Sequence, residues 1–163
     1  MRWIWIDRFT AFESGKSATA VKCLSAAEDH FADHFPGYPV MPAALILEGL
    51  AQTGGILVGE ANQFREKVVL AKIPVAKFHR EATPGEVLTY QADVIDLRPE
   101  GAVIRGKVTS GDDPIAEAEI FFAHLDQNRS AQVFGDHNVV FTGELRHLLG
   151  TAPGRPQLPP PKS

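Results

Sequence analysis

The stretch His34-Phe35-Pro36-Gly37-Tyr38-Pro39-Val40-Met41-Pro42, running on into Leu45-Ile46-Leu47-Glu48-Gly49-Leu50-Ala51-Gln52, decides the fold. Its first part carries three prolines in seven residues, Pro36 to Pro42. They forbid regular structure there and stiffen a loop. Pro42 suits the first turn of a helix, where a missing N–H costs nothing. From Pro42 the pattern predicts a helix to about Gln63. That helix is apolar on nearly all sides, so other elements must enclose it. Its apolar run, Ala43 to Val58, is interrupted by Glu48, Gln52 and Thr53. It is short of the roughly 20 residues a membrane span needs. Glu48 near its middle would also be costly in lipid. A helix buried inside a soluble fold, with no membrane span, is the expectation.

Working outward, Trp3 to Phe12 reads as a strand or a turn into one, and Lys16 to Leu24 as a second strand. Ser25 to Phe35 is polar and reads as loop or a short helical turn. After the helix, Val68 to Phe78, Val87 to Leu97, Ala102 to Thr109 and Ile115 to Asp126 read as strands rich in Val, Ile and Phe. Turn signals separate them at Thr83-Pro84-Gly85, Arg98-Pro99-Glu100-Gly101 and Ser110-Gly111-Asp112-Asp113. Short links of this kind favour antiparallel neighbours. A strand pair, one long buried helix and four further strands make an α+β arrangement, one sheet wrapping a central helix.

The bulk properties fit one domain. The chain has 163 residues, 44% hydrophobic and 22% charged, an ordinary globular balance. A net charge of -4 argues against a general nucleic-acid binder, which needs Lys and Arg to neutralise phosphates. A single cysteine, Cys23, excludes an intramolecular disulfide framework. The opening Trp3-Ile4-Trp5-Ile6 is cut short by Asp7-Arg8, too brief for a secretory leader. A cytoplasmic protein is therefore expected. The domain is expected over 1–126, with 127–163 as a C-terminal extension. Within the extension, Asn138 to Leu149 offers a short helix with Thr142 near its cap, and the proline-rich Pro153 to Ser163 reads as disordered.

The chemistry should lie where loop meets helix. His34 sits at the mouth of the rigid loop, and Glu48 about one and a half turns inside an apolar helix. A buried glutamate must find a partner or hold a raised pKa. A carboxyl near a positioned imidazole is what acid–base catalysis needs. The free N–H groups at the helix start, around Ala43 and Ala44, can polarise a carbonyl oxygen.

At these residues the chain resembles the 3-hydroxyacyl-[acyl-carrier-protein] dehydratases of the FabZ/FabA type, which have the hot-dog fold. The family's His-Phe-Pro-Gly loop is matched by His34 to Gly37, its Pro-x-Met-Pro by Pro39 to Pro42, and its helical acid and Gln by Glu48 and Gln52. Trp5-Ile6-Asp7-Arg8 resembles the family's opening strand. Ala76-Lys77-Phe78-His79-Arg80 with Pro84-Gly85-Glu86 is similar to its basic strand and turn. The resemblance reaches about Asp126.

It implies a lyase of fatty-acid or related lipid biosynthesis. His34 would take a proton from C2, and Glu48 would help deliver one to the departing C3 hydroxyl. The substrate would ride on the phosphopantetheine of acyl carrier protein, and no metal or organic cofactor would be needed. The two side chains would come from different subunits of a homodimer, or of a trimer of dimers. An acyl tunnel would run along the helix past Phe35, Leu45 and Phe78. Gly37, Ala43, Ala44 and Gln52 would border the substrate. Ala43 departs from the pattern, since the family usually has Gly there. Glu48 follows the branch that only dehydrates; the isomerising branch usually has Asp.

Plainer readings stand beside these. Taken alone, His34 reads as a loop residue capping a carbonyl, and Glu48 as an acid satisfied by Gln52 or by an interface; the motif around them favours catalysis. His30 and His34, four apart, have metal-ligand spacing on a helix, but Phe35-Pro36-Gly37 ends any helix and no third ligand is evident. Lys72, Lys77 and Arg80 fit a solvated strand face or a docking patch for an acidic carrier protein. Trp3 and Trp5 read as packing residues. A hot-dog thioesterase is the competing enzyme, though it does not require the His-Phe-Pro-Gly loop. A non-catalytic carrier-binding subunit is expected to lose His34 or Glu48.

Overall fold

A computed structural model of the chain describes residues 3–125 and 143–155. The elements are β1 (Arg8–Glu13), β2 (Ser17–Cys23), α1 (Asp29–Asp33), α2 (Ala43–Ala61), β3 (Lys67–Phe78), β4 (Val87–Arg98), β5 (Gly101–Ser110), β6 (Asp113–Leu125) and α3 (Gly143–Leu148), with a 3-10 turn at Leu149–Thr151. The six strands form one antiparallel sheet in the order β1-β2-β4-β5-β6-β3. The helix α2 lies against its inner face and touches β2 to β6. This is the expected α+β, hot-dog arrangement.

Period-two burial shows which side faces the helix. Leu88, Tyr90 and Ala92 of β4, Ala102, Ile104 and Val108 of β5, and Ala116, Ala118 and Ile120 of β6 are buried, with more exposed residues between them. Residues Gly49 to Gly59 of α2 are buried throughout. The helix lies close to the sheet because Gly49 has no side chain. A Cβ there would stand 2.6 Å from the Tyr90 ring. The far end of α2 closes with Gln63 N–H on Glu60 and Phe64 N–H on Gly59, a Schellman pattern.

Three expectations need correcting. The first strand starts at Arg8 rather than Trp3. The backbone ahead of it bonds to a helix side chain instead: Trp5 N–H donates to Gln52 Oε1 at 2.8 Å. Next, the Thr83-Pro84-Gly85 link does not join neighbours, because β3 lies at the far edge beside β6 and β4 pairs with β2. Gly85 N–H bonds to Leu24 O and Leu24 N–H to Glu86 O, both at 2.9 Å, which delivers the chain beside β2. The eight residues 79–86 reach roughly 26 Å when extended, enough to pass two strands spaced about 4.8 Å apart. Finally, Pro153, Gly154 and Arg155 belong to the fold. Arg155 pairs with Glu60 at 2.5 Å and lies 4.7 Å over the Phe12 ring.

In the extension, α3 lies within the expected helix and gives way to the 3-10 turn at Leu149, and Leu145, Leu149 and Ala152 join the main core. Thr151 Oγ1 accepts the Phe9 N–H of edge strand β1 at 2.8 Å. The expected start at Asn138, the cap at Thr142 and the end from Pro156 onward lie outside the described residues. Among the described residues no helix is long and apolar enough to cross a membrane.

Candidate active site

The His34 loop is closed by its own backbone. Phe35 and Tyr38 exchange N–H···O bonds at 3.0 and 2.9 Å, and Val40 N–H bonds to His34 O at 3.0 Å. Gly37 makes the turn at φ +78, a conformation that side chains disfavour. Met41 N–H then bonds to Ala82 O at 2.8 Å, tying the loop to the β3–β4 link. His34 Nδ1 lies 2.9 Å from the Val40 carbonyl. A carbonyl only accepts, so the proton sits on Nδ1 and the neutral ring keeps its lone pair on Nε2. The carbonyl contact foreseen in the plain reading therefore also orients the imidazole. The Phe35 ring stacks on it, centroids 4.1 Å apart.

His34 lines a cleft of about 360 Å³ with Phe35, Ala43, Ile46, Phe78 and Arg80 among its walls. Ala43 is the first residue of α2 and exposed. Leu45 and Ile46 N–H both go to the Pro42 carbonyl, so the N–H groups of Ala43 and Ala44 precede the first closed turn. Ala44 is exposed too but does not border the cleft, and the helix wall comes from Ile46 rather than the expected Leu45. The phase of the helix, about 100° per residue, places only one of two consecutive residues there.

Glu48 is half-buried and is not among the residues lining this cleft. It has found partners instead. Its Oε1 accepts Gln52 Nε2–H at 3.0 Å and Trp3 Nε1–H at 2.9 Å. Gln52, 5% exposed, also donates to Trp3 O at 3.1 Å and accepts from Trp5 N–H. Gln52 thus sits behind the acid as a holder.

Sequence reasoning missed Trp3, which it read as packing. It also missed His79 and Glu81, which line the cleft from the β3–β4 link. Nothing in local sequence marks a contact between positions 45 apart. Trp5 does pack, 2% exposed, with His30 against its edge.

The three candidate docking cations lie along β3 and just beyond it, and each has a neighbour. Lys72 sits 4.6 Å above Phe121, and Lys77 is 3.4 Å from Glu117. Arg80 makes a two-pronged pair with Glu86 at 2.7 and 3.2 Å. The Arg80 hydrogen bonds hold the Glu86 carboxyl down at about 2. Among the described residues no three His, Cys, Asp or Glu side chains are grouped to hold a metal.

Known proteins match this chain over the same region. The FabA-like domain family matches residues 3–119. A 3-hydroxyacyl-[acyl-carrier-protein] dehydratase FabZ of Listeria monocytogenes is 40% identical over 125 residues, 76% of this chain and 87% of that protein. The FabZ of Pelotomaculum thermopropionicum is 38% identical over 122 residues, 74% and 87% respectively. Among solved structures, the dehydratase heterocomplex ApeI:P from Xenorhabdus doucetiae shares the fold with a TM-score of 0.67 at 12% identity, over 82% of this chain and 91% of that one. Conserved protein PA5202 from Pseudomonas aeruginosa does so with 0.60 at 19%, over 72% and 87%.

Proposed function

This chain belongs to the FabA-like family and is a 3-hydroxyacyl-[acyl-carrier-protein] dehydratase, and from that premise we propose that His34 and Glu48 are its acid–base pair. The observation that carries the assignment is the His34 Nδ1 contact to Val40 O, which leaves Nε2 as a base at the cleft. Nε2 takes a proton from C2 of the 3-hydroxyacyl thioester, and the C–H electrons form the C2–C3 double bond. The C3–O bond breaks as Glu48 gives its proton to the leaving hydroxyl, so water departs. The thioester oxygen carries the developing negative charge, and the Ala43 N–H stabilises it. His34 finishes protonated and Glu48 ionised, and a proton returned through solvent resets the pair. The thioester acidifies C2, so the proposed reaction uses no metal or organic cofactor.

The pair works across two subunits in this proposal. Support comes from Glu48 lying outside the cleft that His34 lines, and from the resemblance, which brings the acid from a partner. Support also comes from the outer edge of β3, where Leu70, Val75 and Phe78 are exposed. A homodimer is therefore the smallest active unit proposed, with a trimer of dimers as its larger form. Acyl carrier protein presents the substrate, and Lys72, Lys77 and Arg80 meet its acidic surface. Fatty-acid or related lipid synthesis in the cytoplasm is the proposed setting.

The test is dehydration of 3-hydroxybutyryl and hydration of crotonyl groups on carrier protein. His34→Ala and Glu48→Gln are each expected to lose roughly 10²–10⁴ in kcat, with circular dichroism unchanged. Full activity in His34→Ala would overturn the mechanism. Release of free thiol without reversible hydration would show a thioesterase instead.

A further inference from the structure

We infer that Trp3 is a positioning residue for this dehydration, acting through Glu48. The inference rests on the reading of Glu48 as the acid. Its physical basis is a junction of four hydrogen bonds. Gln52 holds the N-terminal segment from two sides, accepting Trp5 N–H at 2.8 Å and donating to Trp3 O at 3.1 Å. The other Nε2 hydrogen of Gln52 goes to Glu48 Oε1 at 3.0 Å. The Trp3 indole N–H closes the circuit on that same oxygen at 2.9 Å. One buried amide therefore fixes both the acid and the backbone that aims the indole at it.

Two donors on one carboxylate oxygen have a chemical consequence. They stabilise negative charge on Oε1 and occupy its lone pairs, so a proton carried by Glu48 rides on Oε2. Among the described residues no donor reaches Oε2. Trp3 and Gln52 thus set which oxygen faces the leaving hydroxyl and hold the carboxyl plane as the proton leaves. They also stabilise the carboxylate that forms. The Trp3 ring is itself braced edge-on by Trp5, centroids 5.6 Å apart, and Trp5 is buried. Trp3 is 57% exposed, so its side chain adds little to the core. An exposed tryptophan held by a buried partner and bonded to a half-buried acid is poorly explained by packing.

A kinetic cycle separates this role from a structural one. Turnover of carrier-bound 3-hydroxybutyryl is measured for the native chain, Trp3→Phe, Glu48→Ala and the double variant. Trp3→Phe keeps an aromatic ring but removes the N–H donor together with the fused second ring, whose packing at a 57% exposed position is small. It is expected to lower kcat about ten-fold, with KM unchanged and the unfolding midpoint within about 2 °C of the native. In the Glu48→Ala background the same substitution is expected to cost nothing further, because the group it acts through is gone. A kcat for Trp3→Phe equal to the native one overturns the inference, as does an equal loss in both backgrounds. If Glu48→Ala turns over at the native rate, the reading of Glu48 as the acid fails, and the role of Trp3 falls with it.

Discussion

The two ends of α2 each carry a glutamate, and the surroundings of the two differ in kind. Glu48, near the start, is held by neutral donors, the Gln52 amide and the Trp3 indole. Glu60, near the finish, is bonded by the Arg155 guanidinium at 2.5 Å and the Ser14 hydroxyl at 2.6 Å. Neutral donors orient a carboxyl without adding charge to the contact, whereas a guanidinium brings a full positive charge to it. The backbone shows the same contrast. The start of α2 is exposed at Ala43 and Ala44 and opens on the cleft. The finish is covered: Leu145 and Leu149 pack into the core, and Arg146 lies 4.9 Å over Phe64. One helix thus presents N–H groups ahead of its first closed turn at one end and anchors the chain at the other.

The contrast can be broken most forcefully at the covered end. Leu149, 7% exposed, fills core space. Leu149→Ala is expected to destabilise the fold by about 2–4 kcal/mol in urea unfolding, while kcat of the folded enzyme stays native. A matching loss of kcat would show that the two ends are coupled. Glu60→Gln comes next. It leaves Arg155 without its ion pair, and a loss of about 1–2 kcal/mol is expected with no change in turnover. Together with the activity loss expected of Glu48→Gln, it asks whether the two acids divide stability and chemistry between them.

The site end has an ion pair too, placed in the cleft wall rather than on the helix. Arg80 holds Glu86 at about 2, well below the usual carboxylate range. Folded Glu86 therefore binds fewer protons than unfolded Glu86. Its contribution is whole above about pH 5 and is lost as the pH falls toward about 2. Native stability should fall more steeply through that window than that of Glu86→Gln, by about 1 kcal/mol after solvent screening. Equal slopes in acid titration monitored by fluorescence would show that the pair does not hold the wall.

The smallest effect is expected at Tyr90, beneath Gly49. Its ring is fully buried, its hydroxyl has no partner among the described residues, and burial pushes the phenol up. Tyr90→Phe removes a buried, unpaired hydroxyl and is expected to stabilise by about 0.5–1 kcal/mol. A loss of stability would instead place an ordered water on that oxygen.

Much of this was legible in the chain itself. The prolines of Pro36 to Pro42 and the apolar run after them determine a rigid loop feeding an enclosed helix. Val-, Ile- and Phe-rich runs between turn residues determine the strands to within a few positions. Both follow from interactions between near neighbours, which sequence carries directly. His34 and Glu48 stood out for the same reason, one beside the prolines and one inside an apolar helix. What tertiary structure decided is which distant segments meet. It set β4 beside β2 and β3 at the far edge, and turned the β3–β4 link into a cleft wall carrying His79 and Glu81. It laid the extension along β1 through Thr151 and Phe9, 142 positions apart. Above all it brought Trp3 to Glu48. Such meetings depend on how the sheet closes around the helix, and no local pattern of residue types encodes that closure.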